Sequence, residues 1–68
     1  MYMFSKILKN LRKEKGYLQS ELAEKIGATN QNVSDWESGK SETSFEMLIK
    51  IAKVFEVTVG QLIGSEDY

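Results

Sequence analysis

The chain has 68 residues, of which 28% are charged, and ten acidic against nine basic residues give it a formal net charge of −1. A chain of this length forms one small domain. It contains no Cys and no His, which excludes disulfides, thiolate and imidazole metal sites, and the Ser–His and Cys–His nucleophile pairs. Catalysis by carboxylates alone remains formally open, but a core this small leaves little room for a small-molecule pocket. We therefore expect a protein that is not an enzyme and that uses no cofactor, metal or small-molecule ligand.

The chain shows no sign of a membrane or secretory segment. No apolar run approaches the roughly 20 residues of a membrane-spanning helix, and no signal peptide is visible. We therefore expect a soluble, cytoplasmic protein. Its single domain is expected to span residues 1–68, with a core at about residues 4–63 and a frayed tail at residues 64–68.

The first predicted helix has four apolar residues at the i, i+3, i+4, i+7 spacing of a half-buried helix: Phe4, Ile7, Leu8 and Leu11. Gly16 ends it. Residues 1–16 have a local charge of +4, from five basic residues and Glu14, whereas residues 17–68 carry −5. Three lysines share the polar side of this helix: Lys6, Lys9 and Lys13. Such a strip suits a phosphate backbone, although a solvated lysine face explains it equally well.

The second predicted helix has its apolar stripe at Leu22, Ala23 and Ile26, and Gly27 follows where a helix end favours positive φ. Leu18 stands where an N-cap hydroxyl is expected. Absence of this hydroxyl should lower the stability of the helix by about 1 kcal/mol. We expect either a frayed start or Leu18 acting as an apolar staple.

The third predicted helix begins after Thr29, a good N-cap, and ends at Gly39. Val33 and Trp36 lie three residues apart and face inward. The polar residues left on its outer side are Asn30, Gln31, Asn32 and Asp35. The pattern therefore predicts a short helix that presents amide side chains to the outside.

Two further helices follow. The fourth is predicted from the spacing of Phe45, Leu48, Ile49, Ala52 and Phe55, with Thr43 and Glu46 as a capping box. The fifth contains Val59, Leu62 and Ile63 after a second capping box, Thr58 with Gln61. Five helices joined by short loops, with no strand-like alternation, predict a compact all-α domain.

The segment from Gln19 to Lys40 resembles the helix-turn-helix of the phage repressor/Cro (XRE-type) DNA-binding proteins. The matching pattern is Gln-x-x-Leu-Ala-x-x-Ile-Gly, a Thr two residues later, then Val-Ser-x-Trp-Glu-x-Gly-Lys. Leu11-Arg12-x-x-x-Gly16 and the pattern from Leu48 to Leu62 also match, so the resemblance covers roughly residues 5–63. It implies a five-helix, lambda-repressor-like domain with the helix-turn-helix at helices two and three.

The resemblance implies that Asn30, Gln31 and Asp35 contact DNA bases and that Asn32 contacts a base or a phosphate. Amides suit this role because they offer a donor and an acceptor side by side, matching the N6 and N7 edge of adenine. The alternative for these amides is a solvated helix face. Asp35 repels phosphate, so it either accepts from cytosine N4, orients a neighbouring amide, or makes no contact.

Phosphate contacts are implied for Gln19, at a helix N-terminus that favours anions, and for Lys40 and Ser41 after the third helix. We expect the same role for Thr29, Ser34 and Lys6. By position, Arg12 and Glu37 resemble a family ion pair that ties the first helix to the third.

The resemblance predicts a bacterial or phage-encoded transcriptional regulator that binds double-stranded DNA. We expect a repressor acting as a homodimer on a palindromic operator, because few phosphate contacts give one subunit only modest affinity. Met47, Val54 and Val59 could form the dimer contact or complete the core. The alternative function is a protein-interaction module, such as a toxin–antitoxin or regulator partner, with weak DNA binding; the net charge and Asp35 favour it.

Overall fold

The computed structural model describes residues 2–65, with side chains from residue 3 onward. These residues form five helices: α1 (Tyr2–Glu14), α2 (Gln19–Ile26), α3 (Asn30–Ser38), α4 (Phe45–Phe55) and α5 (Val59–Ile63). No strand occurs between residues 2 and 65. The predicted all-α fold is confirmed. Of the tail predicted at 64–68, residues 66–68 lie outside the described part, whereas the N–H of Ser65 donates to the carbonyl of Gly60 over 2.8 Å and closes the end of α5.

All five helices contribute to one core. α2 packs against α3 and α4, α1 packs against α3 and α5, and α4 also packs against α5. Large side chains that are fully buried at the centre are Phe4, Leu8, Leu22, Val33, Ile51 and Leu62. Burying a large apolar side chain contributes about 1.5–3 kcal/mol. Because helices this short are marginal alone, that shared burial is what keeps them folded.

The apolar stripe of α4 is narrower than predicted. Leu48, Ile51, Ala52 and Phe55 are buried, but Phe45 is 66% exposed and Ile49 is 37% exposed. Both residues lie on one flank of the stripe, and Phe45 also sits at the first position of the helix, beyond the edge of the core. Of the five residues whose spacing predicted this helix, Leu48, Ala52 and Phe55 are therefore buried, whereas Phe45 and Ile49 are not.

The N-caps of α2 and α4 also differ from the prediction. Ser44, not Thr43, caps α4, and its hydroxyl accepts from the N–H of Met47 over 3.2 Å. At α2 the N–H of Leu18 donates to Oε1 of Glu21 over 2.7 Å, so half of a capping box forms without a hydroxyl and the first turn is closed. Leu18 is 65% exposed. The prediction that it acts as an apolar staple is therefore wrong.

The start of α1 lies against the end of α5. Gly64 ends α5 with φ of 86°, and a Cβ placed on it would lie 2.9 Å from Cβ of Met3 and 3.4 Å from Cδ1 of Ile7. Glycine is required here for both reasons, since other residues avoid this backbone conformation and there is no room for a side chain. This contact joins the two ends of the described chain.

Candidate nucleic-acid interface

A tight turn connects α2 to α3. Gly27 ends α2 in the left-handed region with φ of 71°, where its N–H donates to the carbonyl of Ala23. The N–H of Ala28 donates to the same carbonyl over 2.9 Å. Thr29 then starts α3 in an extended conformation. This three-residue connection, Gly27 to Thr29, leaves little freedom in the angle between α2 and α3, and the two helices pack directly against each other.

Two side chains anchor the inner face of α3. Val33 is completely buried and Trp36 is 6% exposed, as their spacing predicted. Asn30, Gln31 and Asn32 on the same helix are exposed. Polar side chains thus project from a helix whose apolar side is fixed in the core, an arrangement suited to placing amides against another molecule.

The start of α3 is closed by a reciprocal capping box. The hydroxyl of Thr29 accepts from the N–H of Asn32 over 3.0 Å, and Oδ1 of Asn32 accepts from the N–H of Thr29 over 3.1 Å. The carbonyl end of the Asn32 amide is therefore turned toward the helix, which leaves its NH₂ group to face outward. A pure donor suits a phosphate oxygen as well as a base edge.

Gln31 and Asp35 form a side-chain pair on the same helix. Nε2 of Gln31 donates to Oδ1 of Asp35 over 2.8 Å, as residues four apart on a helix can do. Asp35 is half-buried. The sequence left three roles open for Asp35: contact with cytosine, orientation of a neighbouring amide, or no contact. The structure contains the hydrogen bond that the second of these roles requires.

The end of α3 is joined to α1 by an ion pair. Nε and Nη2 of Arg12 donate to Oε2 and Oε1 of Glu37 over 2.6 and 3.0 Å, while Nη1 donates to the carbonyl of Tyr17 over 2.7 Å. The side chains of Arg12 and Glu37 are only 12% and 4% exposed. The Glu37 carboxylate raises the pKa of Arg12 above its ordinary value, chiefly through these hydrogen bonds. Two-point contact between planar groups fixes the relative orientation of both helices.

Gln19 belongs to this same cluster. Its Nε2 donates to Oε1 of Glu37 over 3.2 Å, so the first residue of α2 is tied to the last turn of α3. The sequence offers no signal for this bond or for the Tyr17 carbonyl contact, because both depend on how the helices pack. One N–H of the Gln19 amide is used by Glu37, and the second is what a phosphate could accept.

The remaining predicted contact residues lie on α3, in the loop after it and on α1. Lys40 and Ser41 are exposed in the loop after it, and the backbone N–H of Lys40 donates to the carbonyl of Asp35 over 2.9 Å. Ser34 is half-buried on α3, and Lys6 is exposed on α1. α1, which carries Lys6, packs against α3.

The described residues show no competing site at this surface. Between residues 2 and 65, no group of three or more His, Cys, Asp or Glu side chains could hold a metal ion. A shallow depression of 240 Å³ lies elsewhere, on α2, lined by Ser20, Glu21, Glu24 and Lys25. None of the helices in the described part combines the length and the apolar character needed to span a bilayer.

A capped, exposed helix that follows a tight glycine turn defines a helix-turn-helix domain. The helix-turn-helix family model matches residues 8–62, and the chain belongs to that family. The resemblance to the phage repressor/Cro (XRE) type is confirmed.

Curated relatives and solved structures agree with this assignment. The chain is 38% identical over 64 residues to the HTH-type transcriptional activator BcrR of Enterococcus faecalis, covering 94% of this chain and 31% of that protein. It is 38% identical over 66 residues to the HTH-type transcriptional regulator SinR of Bacillus licheniformis, covering 96% of this chain and 60% of that protein. The chain thus spans less than two thirds of the length of these relatives. A crystal structure of SinR, the master regulator for biofilm formation, in complex with DNA has a TM-score of 0.83 at 39% identity, covering 90% of this chain and 98% of that one.

Proposed function

We propose that this domain binds double-stranded DNA sequence-specifically, with α3 in the major groove, as the DNA-reading part of a bacterial or phage-encoded transcriptional regulator. The observation that carries the proposal is the presentation of α3: Val33 and Trp36 are buried, while Asn30 and Gln31 on the same helix are exposed. An α-helix fits the major groove of B-DNA, where amides match adenine. The DNA complex of SinR supports the same use of the fold.

Phosphate contacts would position α3 rather than specify the sequence. The candidates are Gln19, Thr29, Asn32, Ser34, Lys40, Ser41 and Lys6. Few of them are charged, which predicts a shallow dependence of the binding constant on salt concentration. Since an acidic chain with few phosphate contacts has little non-specific affinity, binding depends on the base contacts of α3 and on a second subunit.

We further propose that two copies bind a palindromic operator and that the regulator acts as a repressor by occupying promoter DNA. The three apolar residues considered for the dimer contact pack partly against the core: Met47, Val54 and Val59. Only the exposed part of each side chain is therefore left for a dimer contact. Analytical ultracentrifugation from low to high micromolar concentration tests the dimer, with and without operator DNA. A species that stays monomeric on its operator contradicts it.

Selection of bound sequences from a random duplex pool tests the DNA function. We expect a two-fold symmetric enriched site, and we expect Asn30→Ala with Gln31→Ala to abolish enrichment while leaving thermal unfolding unchanged. Asn10→Ala is the matched control, because Asn10 is an exposed amide on α1 rather than α3. Absence of any enriched site would refute DNA reading and favour the protein-interaction module.

A further inference from the structure

The Gln31 amide is held in a defined orientation. Its Nε2 donates to Oδ1 of Asp35 over 2.8 Å, one turn further along α3. A carboxylate only accepts hydrogen bonds, so the nitrogen end of the amide must face Asp35 and the oxygen end must face away. The amide keeps a second N–H, together with Oε1, for an outside partner.

Asp35 is itself fixed at the end of the helix. Its backbone carbonyl accepts from the N–H groups of Gly39 and Lys40, which fold the following loop back onto α3. The acceptor that orients Gln31 is therefore attached to a hydrogen-bonded helix end rather than to a frayed one. The bond to Asp35 therefore starts from an ordered backbone and favours one orientation of a long side chain that otherwise samples several rotamers.

The neighbouring amide is fixed in the opposite sense. Oδ1 of Asn32 accepts from the N–H of Thr29, so Asn32 turns its oxygen inward and its NH₂ outward. Gln31 turns one N–H toward Asp35 and keeps its oxygen. The two adjacent side chains thus present a preset order of donors and acceptors before any ligand arrives, which lowers the entropy lost on binding.

We propose that Asp35 is a positioning residue for base readout. It holds the Gln31 amide in one orientation, so that α3 selects A·T over T·A at one operator position. The proposal rests on the DNA-binding function given above. The remaining N–H and oxygen of Gln31 match N7 and N6 of adenine. An amide turned end for end offers these groups in reverse order and accommodates the reversed base pair, so a fixed amide separates A·T from T·A.

The substitution Asp35→Asn tests this role, because Asn has nearly the same shape but offers either an oxygen or an NH₂ to Gln31. Duplex selection with the wild type first locates the adenine position. Competition between duplexes with A·T and T·A at that position then measures the preference. We expect the preference to fall about tenfold in Asp35→Asn, the scale of one bidentate base contact, while preferences at other positions stay unchanged. Loss of the negative charge strengthens binding to all duplexes alike and cancels in this ratio.

The Gln31→Ala background separates positioning from direct contact. There, Asp35→Asn should leave the A·T to T·A ratio unchanged, since no amide remains to be oriented. A changed ratio in that background means that Asp35 touches a base itself and overturns the proposal, as does an unchanged ratio in the single variant. If Asp35→Asn does not fold by circular dichroism, Asp35→Ala removes the acceptor with a helix-favouring residue. A wild type with no enriched site refutes the DNA function itself, whereas an enriched site with an insensitive ratio refutes only the positioning role.

Discussion

Helices α3 and α4 follow the same local rules but are held in the molecule differently. Each starts at a hydroxyl N-cap and ends at a left-handed residue. α4 is oriented by an apolar stripe of four buried residues, whereas α3 has only Val33 and Trp36 in the core and is also joined to α1 by the Arg12–Glu37 pair and to α2 by the Gln19–Glu37 hydrogen bond. A helix that must keep its outer face polar has little apolar surface to bury. Hydrogen bonds to Glu37 at the C-terminal end of α3 therefore add to the orientation that its packing against α1 and α2 provides.

The largest expected effect is on the packing of α4. Ile51→Ala should lower the free energy of unfolding by about 3–4 kcal/mol, because Ile51 is completely buried and its removal leaves a cavity. Ile49→Ala is the matched control on the same helix, since Ile49 is 37% exposed, and should cost less than about 1 kcal/mol. Urea unfolding measures both, and similar losses for the two variants would contradict the assignment of the stripe.

The next effect is on the polar support of α3. Arg12→Ala leaves the carboxylate of Glu37, only 4% exposed, without its cation, and should cost about 3 kcal/mol. DNA affinity should fall as well, because the angle of α3 is no longer fixed. Thermal unfolding and DNA titration measure the two effects. Adding Glu37→Gln should recover part of the stability, since no buried charge then remains; a loss of affinity with no change in stability would disprove the structural role.

A smaller effect is expected from removing the N-cap hydroxyls of α3 and α5, which should lower stability equally but differ in their effect on DNA affinity. Thr29→Ala and Thr58→Ala each remove the hydroxyl of a capping box and should each cost about 1 kcal/mol of stability. Thr29→Ala should additionally weaken DNA binding, because the first turn of α3, which carries Asn30, Gln31 and Asn32, loses its cap and the hydroxyl proposed to contact phosphate is removed. Circular dichroism melts and fluorescence anisotropy with operator DNA distinguish the variants. Equal DNA affinities would show that the α3 cap has no part in reading.

The smallest effect concerns the two helix ends. Glu56 ends α4 with φ of 57°, whereas α3 ends at Gly39 with φ of 79°. Glu56→Gly should stabilise the domain by about 0.5–1 kcal/mol, because glycine tolerates this conformation and an acid at a helix C-terminus opposes the helix dipole. Gly39→Ala should destabilise by about 1 kcal/mol. Its added Cβ meets Ser5 Oγ at an ordinary 3.6 Å, so the backbone alone causes the loss. Chemical denaturation measures both, and a shift of the same sign in the two variants would contradict the argument.

Local signals predicted most of the fold. The spacing of Phe4, Ile7, Leu8 and Leu11 predicted the buried side of α1, and Thr29 predicted the start of α3. Periodicity alone could not separate Ile49 from Ile51, since helix flanks are buried or exposed according to what packs there. Thr43 and Ser44 are both possible caps, and only the backbone conformation chooses between them.

The site was less accessible to prediction. Arg12 and Glu37 are 25 residues apart, and only the family resemblance suggested pairing them. The bond from Gln19 to Glu37 required the packed structure. The bond between Gln31 and Asp35, by contrast, joins residues four apart on one helix and could have been read from their spacing.

The contact between Met3 and Gly64 has a consequence for the order of folding. α1 is synthesised before α5, yet it packs against α5, which is the last helix in the described chain. Contacts between distant parts of a chain must first offset the entropy of closing the loop between them. The packing at the beginning of α1 is therefore completed only after α5 has been synthesised.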